Sequence, residues 1–353
     1  MTCPLFVELC AGTAALSLRL HHPRARPPVS RMGAKTGYAD VILRCLGLRP
    51  GGQAERYLWC EPDPGVRLLL HAYRDRALAM AAADIIRSWK DEEPRALWER
   101  LRAEGPAVCP PVDAREVGRW LYIAQACYRR GFPESGYDDE AARGRNHPAT
   151  VCGPTLATVP SLPATIHDDA RAVDPREVAR YALTGQWAFR RGHPESGFNA
   201  GLLRDRAPTA TGGNGCKART CEQEAGLWSA VPEVPGMVHD DARTIPTPPR
   251  LPAGTVAYAD PPYKNTTGYA HLFPRSKWLP VVRRWRDAGA LVCVSEAEPI
   301  PDLMAEGWHA VRIDGERRGQ KRTFSKQQAE WLTMSEPPRW RPSVQGQLFG
   351  GEQ

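Results

Sequence analysis

In a chain of 353 residues, no apolar run reaches the roughly 18 residues that a membrane span requires. The opening MTCPLFVELC has no basic leader before it, so neither membrane insertion nor secretion is expected and a cytoplasmic location is. Metal-type cysteine spacing is also missing. Ten cysteines lie singly between Cys3 and Cys293, and the one close pair, Cys216 and Cys221, lacks the second pair that a zinc site needs. Reduced thiols and no metal are the expectation. Proline (34) and glycine (31) are plentiful enough to imply many loops, but they are too dispersed for collagen-like sequence.

Neither charge sign is scarce. Forty-seven Lys+Arg against forty Asp+Glu leave +7, which permits a polyanionic partner without demanding one. The excess is uneven. Residues 1–60 carry eight basic and three acidic side chains, and residues 264–353 carry fourteen and ten, so a nucleic acid would find its bed at the two ends.

What is present reads as alternating β and α. Residues 5–10 (LFVELC) form an apolar strand closed by Ala11-Gly12-Thr13, with Thr13 as the N-cap of a helix over 14–20. A second helix is predicted over 32–48, a buried strand over 56–60 and a helix over 66–73. Far along the chain, strands at 255–259 and 290–295 flank a helix at 279–287. An antiparallel pair at 309–313 and 329–334 closes the pattern. The implied class is α/β, a parallel sheet covered by helices.

Between the halves lies a duplication. Residues 112–137 align without gaps to 173–198 with 14 of 26 identical, and HDDAR at 167–171 recurs at 239–243. Two copies are too few for a solenoid. The expected organisation is therefore residues 1–88 and 245–336 as two halves of one catalytic domain. An inserted lobe at 89–244 carries the repeats 112–171 and 173–243, and a flexible tail covers 337–353.

The densest chemistry is Asp260-Pro261-Pro262-Tyr263 directly after the 255–259 strand. Two prolines fix the backbone and remove two donors, so the Asp260 carboxylate and the neighbouring carbonyls can all accept from one exocyclic amino group. Tyr263 offers a flat face to a base taken out of its stack.

This tetrapeptide resembles the catalytic motif of the amino-methylating DNA methyltransferases, the adenine-N6 (Dam-like, D12-class) enzymes of bacteria and phage in particular. The similarity extends through 264–269 (KNTTGY), Phe273, Trp285, 294–296 (VSE), 315–322 (GERRGQKR) and 330–332 (EWL), but matches the inserted lobe only weakly. It implies a class I, Rossmann-like methyltransferase sheet and S-adenosylmethionine as methyl donor. It further implies double-stranded DNA as substrate, with the duplicated lobe as the target-recognition region. A monomer is expected, with a restriction enzyme as a candidate partner.

The resemblance also implies roles. Residues 6–17 (FVELCAGTAALS) are similar to the cofactor motif, although with fewer glycines than the family has. Phe6 belongs to it, Glu8 would meet the cofactor's α-amino group, and Cys10, Gly12 and Thr13 would let backbone approach. Glu61, with Asp63 as the alternative, would accept from the ribose hydroxyls. Met32 and Lys35 resemble the segment that contacts the methionine end, here following the glycine motif instead of preceding it. Asp241, or Asp240, in the second HDDAR would receive the adenine amino group, its twin at 167–171 being structural. DNA contacts are expected from Lys264, Thr267 and Tyr269 in a loop over the flipped base, and from Arg317, Arg318, Lys321 and Arg322. The same tetrapeptide serves N4 of cytosine, and a catalytically silent DNA-binding protein on this fold is a third reading. A C5-cytosine enzyme is disfavoured because no cysteine follows a proline.

Overall fold

A computed structural model describes residues 3–29, 34–104, 112–127, 136–139, 147–176, 178, 250–263, 273–313 and 330–341. The first strand, β1 (Cys3–Glu8), leads through a tight turn into α1 (Ala15–His21). A single 3-10 turn (Lys35–Gly37) precedes α2 (Ala39–Cys45), where the sequence predicts one helix over 32–48. The helix stops early because Gly47 takes a left-handed φ of 75°. Its amide donates to Arg44 O, and the Leu48 amide reaches back to Leu43 O, satisfying the last carbonyls.

Next come β2 (Ala54–Cys60), α3 (Pro64–Arg74), α4 (Arg76–Ser88), α5 (Pro94–Ala103), α6 (Ala114–Ala126) and α7 (Pro148–Thr158). Acidic N-caps start four of these helices: Asp63, Asp75, Glu93 and Asp113 each accept from amides of the first turn. Then follow β3 (Ala164–His167), β4 (Val256–Ala259), α8 (Arg275–Asp287), β5 (Leu291–Glu296), the short α9 (Pro301–Met304), β6 (His309–Ile313) and β7 (Glu330–Met334).

The seven strands form one mixed, mostly parallel sheet in the order β3-β2-β1-β4-β5-β7-β6, with β7 antiparallel to both its neighbours. This is a Rossmann-like α/β arrangement. The chain builds outward from β1 to β3, then crosses back to lay β4 on the other side of β1, so the switch in direction falls between β1 and β4. Crevices at such points, beyond the carboxyl ends of the strands, are where open α/β sheets bind ligands.

Strands buried on both faces are apolar on both, and alternate residues serve different layers. Phe6, Tyr57, Trp59 and Tyr258 pack into the layer with α1 to α7, whereas Leu5, Val7, Leu58 and Ala257 face α8 and α9. Trp59, Trp278 and Trp285 are fully buried, each contributing about 1.5–3 kcal/mol of hydrophobic stabilisation or more.

Two expected boundaries change. The described residues between 89 and 176 are not a lobe apart from the sheet. Leu97, Trp98, Leu101, Trp120, Leu121 and Leu156 share the first core layer, and β3 pairs with β2 as the sheet's edge. The first repeat copy is locked in at Gly65, where an added Cβ would lie 2.0 Å from Trp120 Nε1. Nor is the start of the expected tail detached: the Arg339 amide donates to Cys45 O and Arg44 lies 5.7 Å from the Trp340 ring centroid, while 342–353 lie outside the described residues. All of the second repeat copy except residues 173–176 and 178 lies outside the described residues. Among the described residues, no helix is long and apolar enough to cross a membrane.

Candidate active site

The turn after β1 is where the chain spends its unusual backbone. Leu9 N donates to Tyr258 O and Ala11 N to Cys60 O, so the ladders to both neighbours continue past the strand end. Gly12 and Ala14 then both take φ near 49°, in the left-handed region. Ala14, not Thr13, occupies the N-cap of α1, and no side chain of its own caps that helix. A carboxylate from the sheet does so instead: Glu8 Oε1 accepts from the Ser17 amide at 2.9 Å and from the Ser17 hydroxyl. The missing local cap is thereby replaced by a buried acid nine residues earlier.

Glu61, at the end of β2, closes the same turn. Its Oε2 accepts from the Gly12 amide at 2.7 Å and its Oε1 from the Asp63 amide at 3.0 Å. Asp63 is committed as the cap of α3, through Gly65 N and Val66 N. Arg67 reaches back to the carbonyls of Glu61 and Pro62, at 2.9 and 2.8 Å.

These residues wall a cavity of about 640 Å³ at the switch between β1 and β4, within the usual range for small-molecule sites. Glu8, Cys10, Gly12, Thr13, Lys35 and Glu61 line it, as do Asp260 and Pro262 from the loop after β4. Thr13 lines the cavity, but its hydroxyl oxygen is enclosed and has no hydrogen-bond partner. A Cβ at Gly12 would meet nothing within 4 Å, so the space over that turn is open.

Lys35 joins the two ends of the chain. Its ammonium lies 2.7 Å from Asp260 Oδ1, 3.6 Å from Glu330 Oε1 and 4.8 Å from the centroid of the Tyr263 ring, while the side chain is only 4% exposed. Tyr263 donates its hydroxyl to Glu330 Oε1, which also accepts from Ser295. Burial, reinforced by the Asp260 and Glu330 charges, pushes the Tyr263 phenol well above its ordinary value. Burial likewise lifts Glu8, to about 7, against the pull of its Ser17 bonds and with the Asp260 charge adding to the rise. The Cys10 and Cys60 thiols are raised by burial and by nearby carboxylates, so both are kept as unreactive thiols.

The structure places the remaining expected site residues as follows. Phe6 is a core residue, its ring 6.4 Å from that of Tyr57. It shares the face of Glu8 but sits two residues below the carboxyl edge of the sheet, out of the cavity. Lys35 engages the Asp260 carboxylate. Pro261 and Tyr263 do not line the cavity, and one side of the Tyr263 ring faces the Lys35 ammonium. Met32, Asp240, Asp241, Lys264, Thr267, Tyr269, Arg317, Arg318, Lys321 and Arg322 lie outside the described residues.

Sequence reasoning missed the other HDDAR. The copy at 167–171 follows β3, and Asp168, Asp169 and Arg171 line the cavity. Asp169 is held in an ion pair with Arg171 at 2.6 Å, while Asp168 is exposed at the rim. The available signal was the β–turn pattern of residues 164–170, which repeats that of the Glu8 and Glu61 segments. The cavity wall thus carries six acids (Glu8, Glu61, Asp63, Asp168, Asp169, Asp260) against three cations (Lys35, Arg67, Arg171).

With the Gly12 and Ser17 amides already given to carboxylates, the start of α1 is closed to a phosphate. The arrangement favours a cationic, hydroxyl-bearing ligand over a dinucleotide. No protein-family model matches the chain, and no curated protein matches it.

Proposed function

We propose that this protein is an S-adenosylmethionine-dependent methyltransferase that acts on the exocyclic amino group of adenine in duplex DNA. The observation that carries the reading is the meeting of two sequence-distant features in one cavity. The Asp260-Pro261-Pro262-Tyr263 loop and the acid-lined turn after β1 open onto the same space. A class I methyltransferase is a Rossmann-like sheet of this general kind, and the resemblance of residues 260–263 supplies the substrate class.

The residues present fit the methyl donor. Open space over Gly12 and a surplus of carboxylates suit a ligand that carries a sulfonium, an ammonium and ribose hydroxyls. Glu61 keeps lone pairs for the ribose beyond those given to Gly12 and Asp63. Glu8 and Asp168 are the carboxylates for the ammonium and the adenine amino group respectively. When bound, S-adenosylmethionine supplies an electrophilic methyl.

The chain's own contribution is orientation and hydrogen bonding. Asp260, held by Lys35 at the mouth of the cavity, accepts from the target amino group together with a backbone carbonyl of the proline pair. Drawing on the amino hydrogens turns the nitrogen lone pair toward the methyl, so no covalent enzyme intermediate is needed. The raised thiols of Cys10 and Cys60 agree with a mechanism that uses no cysteine nucleophile.

The test is incubation of the full chain with duplex DNA and methyl-labelled cofactor, followed by nucleoside analysis. N6-methyladenine that disappears in Asp260→Ala is expected. N4-methylcytosine would move the assignment to the sister reaction, and cofactor binding without transfer would favour a silent binder. Transfer unchanged by Asp260→Ala would overturn the catalytic role of Asp260.

A further inference from the structure

Glu330 is 0% exposed, and it opens β7, the one strand that runs against the others. A carboxylate taken fully out of water is costly unless several partners compensate it. For Glu330, three of its partners lead to the reaction site. Its Oε1 accepts from the Tyr263 hydroxyl and from the Ser295 hydroxyl, and the Lys35 ammonium lies 3.6 Å away. That ammonium is also 2.7 Å from Asp260 and sits over the Tyr263 ring. A single buried oxygen thus meets both the Tyr263 hydroxyl and the ammonium that pairs with Asp260.

We infer that Glu330 is a positioning residue for the methyl-transfer site. It fixes the place of the Tyr263 hydroxyl by accepting from it, and it holds the Lys35 ammonium between two carboxylates so that Asp260 keeps a set direction. Lys35 and Tyr263 reach the site from segments more than 200 residues apart, and neither is anchored by its local backbone alone. Both are anchored by Glu330. The side chain acts through them and has no part in the cavity wall.

The inference rests on the proposed methyl-transfer reading for its kinetic consequences, and on the geometry alone for the Tyr263 ring. Three variants test it: Glu330→Gln, which keeps an acceptor but removes the charge, Glu330→Ala, and Tyr263→Phe. With duplex DNA as substrate, kcat is expected to fall on the order of tenfold to a hundredfold in Glu330→Ala and less in Glu330→Gln, with KM for S-adenosylmethionine unchanged. Losing one of the two carboxylates beside Lys35 should also move the alkaline limb of the kcat profile to lower pH in Glu330→Gln, an effect that a merely structural role would not produce. The combination of Tyr263→Phe with Glu330→Gln should cost less than the sum of the two.

A readout independent of turnover is the Tyr263 resonance in protein with carbon-13-labelled tyrosine rings, assigned by its loss in Tyr263→Phe. Because the phenol carbon reports the hydrogen bond its hydroxyl makes, a shifted Tyr263 Cζ resonance is expected in Glu330→Gln. If the parent methylates DNA while Glu330→Gln keeps its kcat and its alkaline limb, the inference is overturned. If the parent transfers no methyl group, the functional reading fails. The ring signal then decides alone, and an unaltered Tyr263 resonance in Glu330→Gln overturns the inference.

Discussion

The Gly12 amide donates to Glu61 Oε2 at 2.7 Å across 49 residues of sequence, tying the turn after β1 to the end of β2. That bond holds the left-handed backbone of the turn open above the cavity. Replacing Glu61 by alanine should leave the Gly12 and Asp63 amides short of an acceptor and destabilise the fold by about 1–3 kcal/mol. Replacement by glutamine should recover most of that, since its amide oxygen can accept from one of them. Calorimetry should then find cofactor affinity weakened in both variants, with the alanine change the more severe. Equal stability of the alanine variant and the parent in urea titrations would contradict the bond's role.

Glu8 makes stability depend on pH in a defined direction. Burial raises its carboxyl from 4.5 to about 7, so between these values the folded protein holds a proton that the unfolded chain has released. Stability contributed by this group is therefore present below pH 4.5 and lost as pH climbs toward 7, by about 3 kcal/mol in all. Glu8→Gln should flatten that part of the curve, as read from denaturation midpoints at several pH values. A cationic ligand that pairs with Glu8 should also expel a proton when it binds near pH 6.5, which calorimetry in buffers of different ionisation enthalpy would detect.

Asp168 lines the cavity after β3, where the sequence alone assigns the adenine-amino role to Asp241. Asp168→Asn should weaken S-adenosylmethionine binding on the order of tenfold, the worth of about one hydrogen bond to a charged group. Asp241→Asn should leave that binding unchanged. The opposite ranking would return the role to the second copy of the motif.

Gly65 has no room for a side chain, because an added Cβ would stand 2.0 Å from Trp120 Nε1. Gly65→Ala is expected to destabilise by about 1–3 kcal/mol or more through overpacking. Shortening Trp120 to leucine in the same chain should relieve part of that strain, visible as a less-than-additive pair of urea midpoints.

Much of the frame was legible in the residues. The apolar runs ending in Glu8, Cys60 and Ala259 announce buried parallel strands, and acids or a proline pair at their carboxyl ends mark a ligand edge. The antiparallel closing pair was visible as well. Other features need the third dimension. Nothing in the local sequence tells that Thr13 gives up the helix cap to Ala14, because the cap comes from Glu8 through space. The 32–48 periodicity fits one helix, yet glycines at both ends restrict it to Ala39–Cys45. Chain order puts copy two of HDDAR nearer Asp260, whereas strand order puts copy one at the end of β3, beside β2. Glu330 carries no motif signal of its own, since its meaning lies in two partners brought in by other strands.

The wedge of Trp120 against Gly65 bears on how the duplication could diverge. Copy one fills the core with Trp120, Leu121, Ile123 and Ala124, and at the equivalent positions copy two has Tyr181, Ala182, Thr184 and Gly185. By contrast, 129–136 (RRGFPESG) and 190–197 (RRGHPESG) differ at one residue. The positions that are apolar and buried in copy one are thus smaller or more polar in copy two, while the octapeptide is nearly identical in both. The two copies therefore part company where the first one fills the core and agree over the octapeptide, so the packing of copy one is not written into copy two.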